Sequence, residues 1–169
     1  SSDLPRSKSI QTTPAHQLAL AAVYYSPLQY MYWYDKPSDS QDEPELKFFD
    51  DVYTTWDDTK VLQGEVGEFI TIARRKGEEW FIGSITNNEK RVLSVSLDFL
   101  PEGKNYIAEI YTDGDKSVKT RTKVRVSTYR VSNKTKLNFC LKASGGGAVR
   151  LVPDDGNIKS VKNYKQQRL

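Results

Sequence analysis

The chain offers few residues of the types that do chemistry. It has one His and one Cys among 169 residues. General acid–base work needs a carboxylate pair, a His or a Lys in a shielded cleft. His16 falls in the first turn of a predicted helix and reads as a packed side chain donating one ring hydrogen bond. Asp57 and Asp58 are adjacent, so in a strand or loop they point apart. Glu65 and Glu68 flank Gly67 and read as surface charge at a turn. Glycoside hydrolysis wants two carboxylates facing one another across the scissile bond, and this spacing builds no such pair. Cys140 lies within Leu137-Asn138-Phe139-Cys140-Leu141, a strand position where a small residue packs. A lone cysteine gives neither a zinc cluster nor an internal disulfide. No nucleophile elbow, zinc-protease helix or phosphate loop is present. No position is therefore assigned as catalytic, cofactor-binding or metal-binding.

Binding chemistry is better represented. Aromatic rings stack on the apolar faces of sugars, and Trp33, Trp56 and Tyr30 are the candidate carbohydrate contacts. Trp80, in Glu79-Trp80-Phe81-Ile82-Gly83, reads as core. The run Gly145-Gly146-Gly147 precedes a strand rather than a helix, so it reads as a tight lead or bulge into that strand and not as a phosphate cradle. Charge is uneven. Residues 35–58 carry nine acidic and two basic side chains, and residues 116–169 carry 14 basic and two acidic ones. The basic half alternates charged with small residues, as in Lys119 to Arg125, which fits a solvated strand face. No basic helix or RNA-binding aromatic motif accompanies it, so nucleic acid is not an expected partner.

The elements that must position these residues change character along the chain. Thr13 and Pro14 form a helix start, a hydroxyl cap followed by proline. From Leu18 to Tyr34, 14 of 17 residues are hydrophobic, and the spacing predicts a helix over about 14–34, kinked at Pro27. A second short helix is predicted over 44–52. A helix apolar on all faces belongs inside a larger protein. A β-domain can cover one face of it, which predicts that the chain is the C-terminal piece of a longer polypeptide. The stretch is too short and too interrupted for a membrane span. No signal peptide is visible, which carries no weight if residues are missing upstream.

Beyond residue 58 the pattern becomes period-two. Strands are predicted near 60–63, 68–75, 79–86, 91–98, 105–112, 122–131, 135–142 and 147–152, with turns at Lys76-Gly77, Asn87-Asn88, Pro101 to Lys104, Asp113 to Asp115 and Asn133-Lys134. Short connections predict antiparallel pairing of successive strands. The expected fold is mostly β: one or two N-terminal helices, then an antiparallel β-sandwich or distorted β-barrel of about eight strands. The domain division is 1–53, 54–153 and a polar tail over 154–169.

Several of these segments resemble one enzyme family. His16 to Leu20 with Tyr24-Tyr25-Ser26-Pro27-Leu28-Gln29 is similar to the last helix of the catalytic barrel in glycoside hydrolase family 97. Thr55-Trp56-Asp57-Asp58-Thr59-Lys60-Val61-Leu62 resembles that family's link into its C-terminal domain, and Gly64 to Gly77 with Trp80 to Gly83 resembles the domain itself. Leu97 to Leu100 and the three glycines also fit, so the likeness covers about residues 11–152.

The resemblance implies an α-glucosidase or α-galactosidase of the kind found mostly in Bacteroidetes. Such enzymes have an N-terminal β-supersandwich, a (β/α)₈ barrel and a C-terminal β-domain, with calcium in the active site. It implies that residues 1–53 close the barrel and that the β-domain braces it or mediates oligomerisation. The catalytic and calcium-binding carboxylates of the family lie upstream of the His16 helix, so none transfers to this chain. The implied partners are the rest of the glycosidase chain, an oligosaccharide substrate of the parent and a second copy. The implied location is periplasmic or secreted. The alternative reading is a carbohydrate-binding or dimerisation module.

Overall fold

The computed structural model describes residues 12–24, 46–119 and 123–165. Two short helices, α1 (Pro14–Val23) and α2 (Leu46–Asp51), precede eight strands. These are β1 (Asp58–Glu65), β2 (Phe69–Lys76), β3 (Glu79–Thr86), β4 (Arg91–Ser96), β5 (Asn105–Asp113), β6 (Val124–Ser132), β7 (Lys136–Leu141) and β8 (Gly146–Pro153). All eight predicted strands are present, and the sheets stay open rather than closing into a barrel.

Successive strands do not all pair. Six strands form one antiparallel sheet in the order β1-β2-β3-β8-β5-β6, and β4 pairs with β7 in a second sheet. The Asn87-Asn88 link between β3 and β4 is thus a corner, not a hairpin. Asn87 spends its groups elsewhere: its side chain donates to Gly67 O and accepts from Glu89 N, while its backbone N–H donates to Glu68 O. The backbone is held in a tight local turn, which sends β4 across to the opposite layer.

Strict alternation sorts the strands into two cores. On one face of the large sheet, Trp80, Ile82, Tyr106, Ala108, Val149 and Leu151 meet Leu93, Val95, Leu137 and Phe139 of the small sheet. On the other face, Phe81, Tyr111 and Ala148 pack under Leu18, Ala21 and Ala22 of α1 and Phe48 of α2. The arrangement is helices, large sheet, small sheet.

The predicted helix over 14–34 is corrected at both its end and its surroundings. It stops at Val23. Tyr24 is already extended (φ −74°, ψ 127°), and Pro27, where a kink is predicted, lies outside the described residues. Residues 25–34, including Tyr30 and Trp33, lie outside the described residues. Nor does α1 lack a seat: Ala15, Leu18, Ala19, Ala21 and Ala22 are buried against the sheet. The seat is made by glycine. A Cβ on Gly83 would lie 2.4 Å from Ala19 O, and one on Gly146 would lie 2.6 Å from His16 Cα. Alanines above and glycines below let helix and sheet backbones approach closely. The three glycines divide this labour without a bulge. Gly146 faces the helix, Gly147 faces Phe139 of the small sheet, and Gly145 sits in the preceding turn.

Candidate functional site

The residues singled out for chemistry do not converge. His16 Nδ1 lies 3.1 Å from Gly145 O and donates to it. Burial holds its pKa below the ordinary histidine value, so it is a neutral packed side chain. Asp113 lies near it, and burial pushes its carboxyl up. Asp57 accepts a hydrogen bond from Gly77 N (2.8 Å), which holds its carboxyl below the usual range. Asp58 turns instead to Thr59 N and Lys60. Glu68 pairs with Arg91 at 2.7 Å. Cys140 is exposed, contrary to the packed position expected, because Leu137, Phe139 and Leu141 take the inward positions of β7.

Of the candidate sugar contacts, Trp56 is described, and its indole packs within the helix-face layer. Its ring centroid lies 5.4 Å from Phe81 and 6.2 Å from Tyr53, both edge-on. Trp80 is core, as expected, with its ring tilted at 58° against Phe99, 4.7 Å between centroids.

Two polar assemblies on the helix face escaped sequence reasoning. Arg74 is 2% exposed. Its Nε donates to Ala22 O at 2.5 Å, one terminal nitrogen to Val23 O at 2.8 Å, and the other to Thr59 Oγ1 at 2.9 Å. A cation thus caps the carbonyl end of α1, where the helix dipole is negative. The second assembly centres on Arg150. It reaches Glu79 at 3.2 Å, Asp51 at 3.1 Å and Glu109 at 4.0 Å. Lys47 joins Asp51 and Glu109, and the Tyr111 hydroxyl donates to Glu109 at 3.1 Å. The only signal for it in the sequence is charge inside otherwise apolar strands. These carboxylates neutralise an arginine and tie α2 to the sheet. They are not a facing pair open to a substrate.

Among the described residues, no group of three or more His, Cys, Asp and Glu side chains is placed to hold a metal ion. The calcium implied by the family resemblance therefore does not fit the described residues. Among them, too, no helix is long and apolar enough to cross a membrane. What the fold defines is a β-sandwich with a helix fastened to its outer face by glycine contacts and a buried arginine.

The comparisons with known proteins agree with that class. The family of the glycosyl-hydrolase 97 C-terminal, oligomerisation domain matches residues 55–152. A retaining α-galactosidase of Bacteroides thetaiotaomicron is 34% identical over 142 residues, covering 83% of this chain and 21% of its own. A glycoside hydrolase family 97 enzyme from Pseudoalteromonas sp. strain K8, solved with acarbose, is 37% identical with a TM-score of 0.76, over 85% of this chain and 23% of that one. A β-arabinopyranosidase structure is 25% identical with a TM-score of 0.66, over 83% and 21%. The chain belongs to glycoside hydrolase family 97, as its C-terminal domain. It spans about a fifth of the length of these relatives.

Proposed function

We propose that this chain serves as the C-terminal, non-catalytic part of an α-glycoside hydrolase that removes terminal α-linked glucose or galactose. The observation that carries the reading is the match of residues 55–152 to a C-terminal oligomerisation domain of such enzymes. In the parent, a carboxylic acid would protonate the leaving oxygen. That acid, the second carboxylate and the calcium would come from polypeptide upstream. Residues 1–53 would end the catalytic barrel, and the β-domain would brace it and join subunits. A periplasmic or secreted location belongs to the same reading.

Two measurements test it. The purified chain should hydrolyse neither nitrophenyl α-glucoside nor nitrophenyl α-galactoside, whereas the full-length enzyme should hydrolyse one of them. Turnover by the chain alone overturns the reading. Sedimentation of the full-length enzyme should show a dimer or higher oligomer, and a monomer at all concentrations overturns the assembly role.

A further inference from the structure

Among the described residues, one apolar surface at an end of the large sheet is left bare. Arg74 reaches α1, so Ile70 and Ile72, four and two residues before it on β2, face the same way. Ile85 pairs with Ile70, and Val61 pairs with Ile72, which brings these side chains together. α1 crosses at Gly83 and Gly146, the partners of Ile72 and Ile85, so Ile72 is buried while Ile70 and Ile85 stay half-buried at the margin of the helix. Val61 is 67% exposed, and Val66, at the β1–β2 turn, is 101% exposed. With Gly64 and Phe69 they bound a largely apolar hollow of about 550 Å³.

The rim of the hollow is tied to the start of α1. Asn87 donates from its side chain to Gly67 O (3.2 Å) and from its backbone to Glu68 O (2.8 Å), both on the rim. Asn87 O accepts from Ser144 N at 2.7 Å, and Ser144 O accepts from Thr13 N at 3.2 Å. A hydrogen-bonded row therefore links the rim to the residue that caps α1. The family places this domain at the C-terminal end, and the chain spans 21–23% of its relatives.

Resting on the reading above, we propose that this hollow is the docking seat for the catalytic part of the same polypeptide, filled by an apolar protuberance of that part. Size favours a tethered occupant over a second copy. Two exposed valines and their surroundings fall well short of the roughly 1,000 Å² that an independent interface needs. A tethered domain faces an effective concentration of about millimolar and needs far less. Direct strand pairing through β1 is discouraged as well, because its edge carries a bulge between Val61 and Gln63.

Val66→Cys tests the proposal, because that side chain is fully exposed and contributes nothing to the fold of this chain. Cys140, exposed on the small sheet, is the internal reference. Labelling with iodoacetamide and peptide mapping gives the ratio of the two rates in the 169-residue chain and in the full-length enzyme. The ratio should lie within about threefold of unity in the chain and fall by about tenfold or more in the enzyme, since thiol labelling follows access. An unchanged ratio in the enzyme overturns the proposal. So does protection in the chain alone, whether it rises with concentration, meaning a second copy, or does not, meaning another segment of the chain. Hydrolysis of nitrophenyl glycosides by the same full-length preparation judges the enzymatic reading separately. An inactive enzyme that still shields position 66 keeps the docking seat and loses the activity.

Discussion

At the scale of single residues, the strongest commitment is Arg74. Burying a guanidinium is costly unless its donors are satisfied, and here they are met by two helix carbonyls and a hydroxyl. Arg74→Ala leaves those carbonyls without their charged donor. Hydrogen bonds to charged groups contribute about 1.5–3 kcal/mol each, so a loss of roughly 3 kcal/mol is expected. Urea titration checks it through the shift of the midpoint. His16 makes the chain sensitive to pH. Burial lowers its pKa below 6.5 in the fold, so the unfolded chain takes up this proton first. Its contribution is complete above the unfolded value and is lost as pH falls through 6.5 toward the folded value. His16→Gln should therefore flatten the decline in stability between about pH 7 and 5, read by melting temperature. Asp113 acts in the opposite sense. Its carboxyl is raised above 3.8, so the folded chain protonates first, and stability gains as pH falls through the raised value toward 3.8.

At the scale of elements, the seat of α1 is a matter of missing side chains. Gly83→Ala puts a methyl 2.4 Å from a helix backbone oxygen, which cannot swing aside as a side chain can. Overpacking of this kind costs about 1–3 kcal/mol. It should also lift α1 from the sheet and loosen the grip of Arg74. Limited proteolysis between α1 and α2 should accelerate in Gly83→Ala, and Gly67→Ala, at a turn with open space, should not reproduce this. The Gly67 variant has its own, smaller penalty from a φ of +76°. The end of α1 was not legible in the sequence, because Tyr24 is as apolar as the residues before it. Its stop depends on Arg74, 50 positions later in the chain, taking the last carbonyls.

At the scale of the whole molecule, the three layers share the large sheet, and α1 touches β2, β3, β5 and β8. Because the described residues hold no metal cluster, a chelator should leave the melting temperature of this chain unchanged. The test is a calorimetric scan with and without EDTA. A drop of more than a few degrees would mean that the chain holds a structural ion, since a bound metal stabilises by mass action.

Much of this architecture is local and was legible. Eight strands follow from alternating side chains and turn residues, because a strand's two faces are read at a period of two wherever it lies. Sheet membership was not legible: β3 and β4 have a short link and suitable turn residues, yet they part company. That choice depends on which distant strand offers a free edge, and β8, which pairs with β3, is more than 50 residues away in sequence. Nor could the sequence separate the charges of Glu79, Glu109 and Arg150 from ordinary solvated ones. Their meaning lies in facing each other across neighbouring strands. Composition and periodicity thus determined the type of domain. Only tertiary structure decided that glycines would seat a helix, that an arginine would hold it, and that one apolar corner would stay uncovered, because each of these depends on contacts between segments far apart along the chain.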